Sequence, residues 1–215
     1  TVLHSVFDNT PIFGAADVVG RFRSGAQIQN RPVALSEWRV TTGDPVVAKA
    51  VAELFGGEPK EWETKTEESL EVLTTANSIE VKLEGLTSEM VLWGRGSTPI
   101  RVCNGSTMKG DGDKPCECPA DLKDRKDGAK NGSACQPNVR ATFRLVDNED
   151  LGLWRFNSSS WGLAAQVNDL EGELADAGGA SLATLSLELV EFTTKAGRDV
   201  KYTKPVVKIH APAIA

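Results

Sequence analysis

Residues 103–135 read CNGSTMKGDGDKPCECPADLKDRKDGAKNGSAC, and this stretch divides the 215-residue chain in two. It holds all four cysteines of the protein, Cys103, Cys116, Cys118 and Cys135, among Gly, Pro, Asp and Lys. Between Cys118 and Cys135 only Leu122 is large and apolar, so hydrophobic burial has little to work on there. Four thiolates would satisfy Zn²⁺ completely and leave no open position, which makes a structural zinc the expected organiser. The spacing is C-x₁₂-C-x-C-x₁₆-C, and its C-x-C step is rarer than the C-x₂-C of zinc knuckles. Two disulfides, or four unrelated thiols, are the alternatives. A reducing compartment favours metal over disulfide.

On either side the pattern alternates between strands and single helices. Residues 1–36 show no strong period and are punctuated by Pro11, Gly14, Gly20, Gly25 and Pro32, so an irregular arm is expected. A strand is expected within Val33–Thr42. Asp44-Pro45 reads as an N-cap with Pro at the first helical position, Val47, Ala50, Val51 and Leu54 as one face, and Gly56-Gly57 as the stop. Residues 62–66 suggest a short strand. Leu70, Val72 and Thr74 alternate, as do Ile79, Val81 and Leu83, and together they suggest a hairpin through 75–78. Further strands are expected at Met90–Trp93 and Pro99–Cys103.

After the cysteines come strands at Val139–Val146 and Leu153–Asn157. A helix capped by Ser158, Ser159 or Ser160 should bury Leu163, Val167, Leu170 and Leu174 and end at Gly178-Gly179. The last element expected is a hairpin of Thr184–Thr194 with Val200–His210, followed by a tail from Ala211. Its apolar residues change phase between Leu189 and Val190, which suggests a bulge or a strand buried on both faces. The expected fold is α+β, mostly antiparallel, with about two main helices and an inserted cysteine-rich zinc loop. The expected division is an arm (1–36), a first half (37–102), the zinc loop (103–138) and a second half (139–215), which could form one continuous domain.

Composition narrows function. Hydrophobic residues make up 40% of the chain, with five Trp and seven Phe, enough for a core. The formal charge is −6 and the pI about 5.1, so no overall attraction to phosphate backbones is expected. The basic residues Lys123, Arg125, Lys126 and Lys130 are interleaved with Asp121, Asp124 and Asp127 and read as a solvated charged loop. The opening residues show no basic segment followed by an apolar one, and no run of about 18 apolar residues occurs, so a soluble intracellular protein is expected. GxGxxG, GxxxxGK[ST] and HExxH are absent from the sequence. The two histidines, His4 and His210, lie near the ends and read as surface residues. No catalytic residues and no small-molecule substrate are expected. Trp38-Arg39, Trp93 near Arg95, Trp154-Arg155 and Trp161 are candidate interface anchors, since Trp and Arg dominate binding hot spots. The competing reading places at least half of these tryptophans in the core.

Three stretches carry a family resemblance: RPVALSEWRVTTGDPVVAKAVAELFGG (31–57), WETKTEESLEVLTTANSIEVKLEG (62–85) and LSLELVEFTTKAGRDVKYTKPVV (185–207). Phe143-Arg144-Leu145 and Arg155-Phe156 after the cysteine loop extend it. The chain resembles the recombination directionality factors of Streptomyces temperate phages that use large serine integrases. The resemblance implies a non-enzymatic regulator in the cytoplasm of a bacterial host. Its partner would be a large serine integrase, bound through the integrase's zinc-bearing C-terminal domain and coiled-coil arm. It would redirect the enzyme from integration to prophage excision. The alternative is a replication-associated nucleic-acid-binding protein, with Arg–aromatic pairs stacking single-stranded bases. The acidic pI weighs against it. A metal-assisted hydrolase would need the open zinc position that four cysteine ligands deny.

Overall fold

A computed structural model describes residues 18–28, 31–62, 64, 66–95, 98–110 and 114–210. His4, most of the expected arm and the tail from Ala211 lie outside the described residues. The chain forms two compact units, one of Val18–Thr87 with the residues from Val139 onward, the other containing Ser88–Asn138.

In the larger unit a sheet is built from β1 (Gly20–Ile28), β2 (Arg31–Thr42), β3 (Pro59–Glu61), β4 (Leu70–Leu73), β5 (Ser78–Trp93), β7 (Gln136–Leu145), β8 (Trp154–Ser158), β9 (Ser181–Thr193) and β10 (Asp199–Ile209). Their order is β10-β9-β5-β7-β8-β1-β2-β4-β3. The strands β5 and β7 run on into the smaller unit, which also holds β6 (Pro99–Cys103). The described pairings are mostly antiparallel; β1 with β8 is parallel. Four helices occur among the described residues: α1 (Pro45–Phe55), α2 (Leu122–Asn131), α3 (Trp161–Ala164) and α4 (Val167–Asp176).

The expected irregular arm is corrected from Gly20 on. Gly20–Ile28 is a strand held between β2 and β8, and β2 begins at Arg31. The glycines that read as loop punctuation have other roles. A Cβ on Gly20 would lie 2.5 Å from the Thr41 carbonyl oxygen and 2.7 Å from the Trp154 ring, so only glycine lets β1 approach both. Gly25 marks a shift in register against β2. Phe22 is the residue that β1 contributes to the core. Its ring meets Trp38, Phe143 and Trp154 edge-on at centroid distances of 5.9, 5.5 and 5.2 Å.

The expected hairpin of residues 70–74 and 79–83 is also corrected. The strand β4 pairs with β2 and β3, whereas β5 pairs with β9. The connection contains no Asn-Gly or Gly-Gly turn to reverse the chain. Instead, Thr74 donates its N–H and hydroxyl to the Trp38 carbonyl, and the Ala76 carbonyl accepts the Trp38 N–H. These bonds lead the chain past β2. The expected strand at 62–66 lies upstream, at Pro59–Glu61, and residues 63 and 65 lie outside the described residues. The strand seen in sequence at Met90–Trp93 is the end of the 16-residue β5.

The expected start and stop of α1 are observed. Asp44 accepts from Val46 N at 2.7 Å, Pro45 follows, and Gly56 with φ 77° caps the end. Gly57, at φ +85°, lies so close to the Leu73 carbonyl that no side chain fits. The buried face is Val47, Ala48, Val51 and Phe55, whereas Leu54 is exposed. The expected second helix is two, α3 and α4, interrupted at Ala165-Gln166; its stripe of Leu163, Val167, Leu170 and Leu174 is buried as expected. The last hairpin keeps one register throughout, without the bulge suggested by sequence. Leu185 and Leu187 are buried, but Leu189, Phe192 and Tyr202 are exposed. The change of apolar phase therefore marks the end of core contact, not a change in backbone.

Leu170→Ala is expected to cost about 2–5 kcal/mol, because the residue is 7% exposed within the main core cluster. Val46→Ala, on the outer face of α1, should stay within about 0.5 kcal/mol. Denaturant unfolding of both variants checks the pair, and near-equal losses would contradict this packing.

Candidate metal centre

The smaller unit is organised around the cysteines. Cys103 ends β6, paired with Met90 of β5. Asn104 then turns the chain, its side-chain oxygen accepting from Ser106 N at 2.9 Å and Thr107 N at 2.8 Å. Cys116 is held by its N–H to the Ser106 carbonyl at 2.7 Å, so the segments before and after the turn lie together. Residues 111–113 between them lie outside the described residues.

The stretch read as a charged loop is helical. Asp121 caps α2 by accepting from Lys123 N and Asp124 N, and Gly132, in the left-handed region at φ 76°, ends it. These signals were present in the sequence. What hid the helix was its lack of an apolar face, since Gly128 is its one buried residue. Arg125 does not point into solvent alone: it donates from Nε to the Pro119 carbonyl at 2.8 Å and from Nη1 to the Gly105 carbonyl at 2.7 Å. It thereby ties α2 to both cysteine-bearing loops. Beyond Gly132, bonds from Ser133 N and Ala134 N to the Gly128 carbonyl deliver Cys135 to the cluster.

The four cysteines converge and form no disulfide. The Sγ atoms of Cys103, Cys116 and Cys135 lie within 4.8 Å of one another, close enough to hold a metal ion. Cys118 adjoins them, its sulfur accepting the Cys135 N–H at 3.1 Å. Cys103, Cys118 and Cys135 are buried and Cys116 is half-buried. The apolar residues packed about them, Ala134 buried and Met90 and Leu92 partly so, are too few to explain the cluster by burial alone.

Burial raises the Cys103 thiol to about 11. Burial, together with the neighbouring Cys118, also raises Cys135. At Cys118 burial pushes the same way, but the Cys135 N–H and the Cys116 thiol outweigh it and the net direction is down. Any cation entering the cluster must therefore displace protons from buried thiols, which makes its affinity fall as pH falls. The donor set fits a thiophilic tetrahedral ion: Zn–S bonds of about 2.3 Å would need sulfurs about 3.8 Å apart.

The tryptophans separate into two groups. Trp38 and Trp154 are 1% and 0% exposed and belong to the core, so neither is available as an interface anchor. Trp161 opens α3 and is half-buried. Trp93 ends β5 and is 37% exposed, with Ile100 exposed on the adjoining β6. Trp62 is an aromatic the sequence reading did not single out. Arg39 stacks over its ring at 4.3 Å and pairs with Glu71 at 2.6 Å. Arg21 and Arg23 both pair with Glu68, at 3.1 and 3.0 Å. His210 contacts the Thr184 hydroxyl at 2.8 Å and Glu80 at 3.3 Å on the polar face of β5, β9 and β10.

A family model described as Gp3-like, recombination directionality factor-like, matches residues 19–212. No solved structure matches the chain.

Trp38→Ala is expected to destabilise the protein by about 3–5 kcal/mol, as an aromatic removed from a packed core. Trp93→Ala should leave the melting temperature nearly unchanged while removing the tryptophan most accessible to a collisional quencher. Fluorescence quenching and thermal unfolding of the two variants measure this, and a large stability loss at Trp93 would remove it as a candidate contact.

Proposed function

The chain belongs to the recombination directionality factor-like family, and from that premise we propose that it binds a large serine integrase and switches it from integration to excision. The observation that carries this reading is the family match across residues 19–212. The switch needs no chemistry from this protein. An integrase that samples two synaptic arrangements shifts toward whichever one the factor binds better. In this reading the protein is a regulator, not an enzyme, and it works in the cytoplasm of a bacterial host. Among the described residues no helix is long and apolar enough to cross a membrane.

Charge supports a protein partner over naked DNA. The net charge is −6, and three of the four arginines on β1 and β2 are already engaged by carboxylates, Arg21 and Arg23 sharing Glu68 and Arg39 holding Glu71. A basic DNA-bound enzyme is the kind of partner such a surface attracts. In the reading of the cysteine cluster proposed here, Cys103, Cys116, Cys118 and Cys135 hold a structural Zn²⁺, which supplies folding energy to a unit poor in apolar residues.

Protein purified without added metal is expected to contain about one zinc per chain by elemental analysis. Cys116→Ser should lose the metal and melt at lower temperature; four thiols titrating freely under native conditions would rule the zinc out.

Function is tested in a reconstituted recombination reaction with the serine integrase encoded near this gene. The protein should promote joining of the hybrid left and right attachment sites and inhibit joining of phage and bacterial sites. Pull-down with the integrase should succeed without DNA and with its catalytic serine removed. Absence of any effect in either direction, with tight binding to single-stranded DNA instead, would favour the replication-associated alternative.

A further inference from the structure

Arg101 lies on β6, opposite Leu92 of β5, in the same unit as the cysteines. Its side chain is 16% exposed, and its guanidinium lies among local acceptors. It has two. One terminal nitrogen, Nη2, pairs with the Glu117 carboxylate. The other, Nη1, donates to Cys118 Sγ at 3.8 Å, a distance suited to a sulfur acceptor.

This arrangement singles out Cys118. The other three sulfurs lie within 4.8 Å of one another, and Cys118 stands outside that group. Two donors hold its sulfur, the Arg101 guanidinium and the Cys135 N–H at 3.1 Å. The same guanidinium grips the neighbouring Glu117, whose side chain is 75% exposed, so one planar fork fixes two successive residues of the C-x-C step. Four thiolates around a divalent cation also leave a charge of about −2, and burying it demands nearby donors or a cation.

The geometry assigns Arg101 as the positioning residue of the cysteine centre: it seats Cys118 as the fourth ligand and offsets the negative charge of the thiolate set. The assignment rests on the metal reading given above. Lysine is a poor substitute, since its compact ammonium lacks the rigid planar fork whose two separate nitrogens reach the carboxylate and the sulfur.

The test uses the full chain as wild type, Arg101→Lys and Arg101→Ala. Zinc content is measured first, then the rate of zinc transfer to a chromophoric chelator. The thiolate-to-metal absorption of cobalt-loaded protein, whose intensity follows the number of thiolate ligands, is recorded last. Arg101→Ala is expected to release zinc at least about tenfold faster, in line with the loss of a residue that supports a metal ligand, and to show a weaker cobalt–thiolate band. Arg101→Lys should lie between the two. If Arg101→Ala does not fold, Arg101→Lys decides, with release several-fold faster than wild type expected. Unchanged release and an unchanged cobalt spectrum in the folded variants would overturn the assignment while leaving the metal reading intact. Wild-type protein without metal would overturn the metal reading, and the role of Arg101 with it.

Discussion

The larger unit depends on Phe22 standing edge-on to the aromatic rings around it. Trp38 comes from β2, Phe143 from β7 and Trp154 from β8, while Phe55 approaches from the end of α1 at 6.2 Å. In strand order, β1 is the junction between β2-β4-β3 on one side and β8-β7-β5-β9-β10 on the other. The parallel register that makes this junction is short, from Gly20 opposite Trp154 to Phe22 opposite Phe156. Few backbone bonds hold it, so side-chain packing at Phe22 must secure what the ladder does not. The bare Cα of Gly20 is the other half of the constraint. It permits the close approach of Trp154 that the Phe22 contact requires.

This explains which parts of the fold were legible in the sequence. Signals that act within a few residues were read correctly: Asp44-Pro45 and Gly56 at the ends of α1, and the helical stripe from Leu163 to Leu174. Signals that depend on remote partners were not. GRFRSGAQI looks like a loop because its glycines serve contacts with Thr41, Trp154 and the register shift, none of which is local. The pairing of β4 was misassigned for the same reason. Alternation predicts that Leu70–Leu73 and Ser78 onward are strands, but not that Trp38 draws the link between them aside. In α2 the failure was of another kind, because periodicity detects helices through an apolar face that this helix lacks.

At the candidate metal centre the sequence pointed to the residue type, and the structure brings three of its four cysteines, Cys103, Cys116 and Cys135, within reach of one ion. The sequence could not supply the inequality among the four sulfurs. Cys103 and Cys135 are separated by 31 residues yet meet because a turn at Asn104 and a capped helix at Asp121 consume the intervening chain locally. Each of these devices uses polar side chains bonded to backbone, which suits a segment with almost no apolar surface to bury. A unit so constructed has little hydrophobic stabilisation in reserve, and small scaffolds of this kind rely on staples. In the metal reading proposed above, an ion held by the converging thiols is that staple. Arg125, bonded to the carbonyls of Pro119 and Gly105, shows that the surrounding loops are fixed to match.

In the function proposed above, a factor that redirects an enzyme without performing chemistry must bind its two arrangements unequally, and the shift it produces cannot exceed its difference in affinity for them. Such discrimination favours a rigid presenting surface, because a surface that remoulds itself around either arrangement discriminates between neither. Here three of the arginines of β1 and β2 are already paired within the chain, Arg21 and Arg23 with Glu68 and Arg39 with Glu71. Most exposed apolar residues lie elsewhere. In the smaller unit they include Trp93 and Ile100; in the larger they include Leu189, Phe192 and Tyr202 on the last hairpin. Both sets sit on paired strands rather than on long loops. Paired strands lose little conformational freedom on binding, so more of their contact energy remains available to discriminate between states.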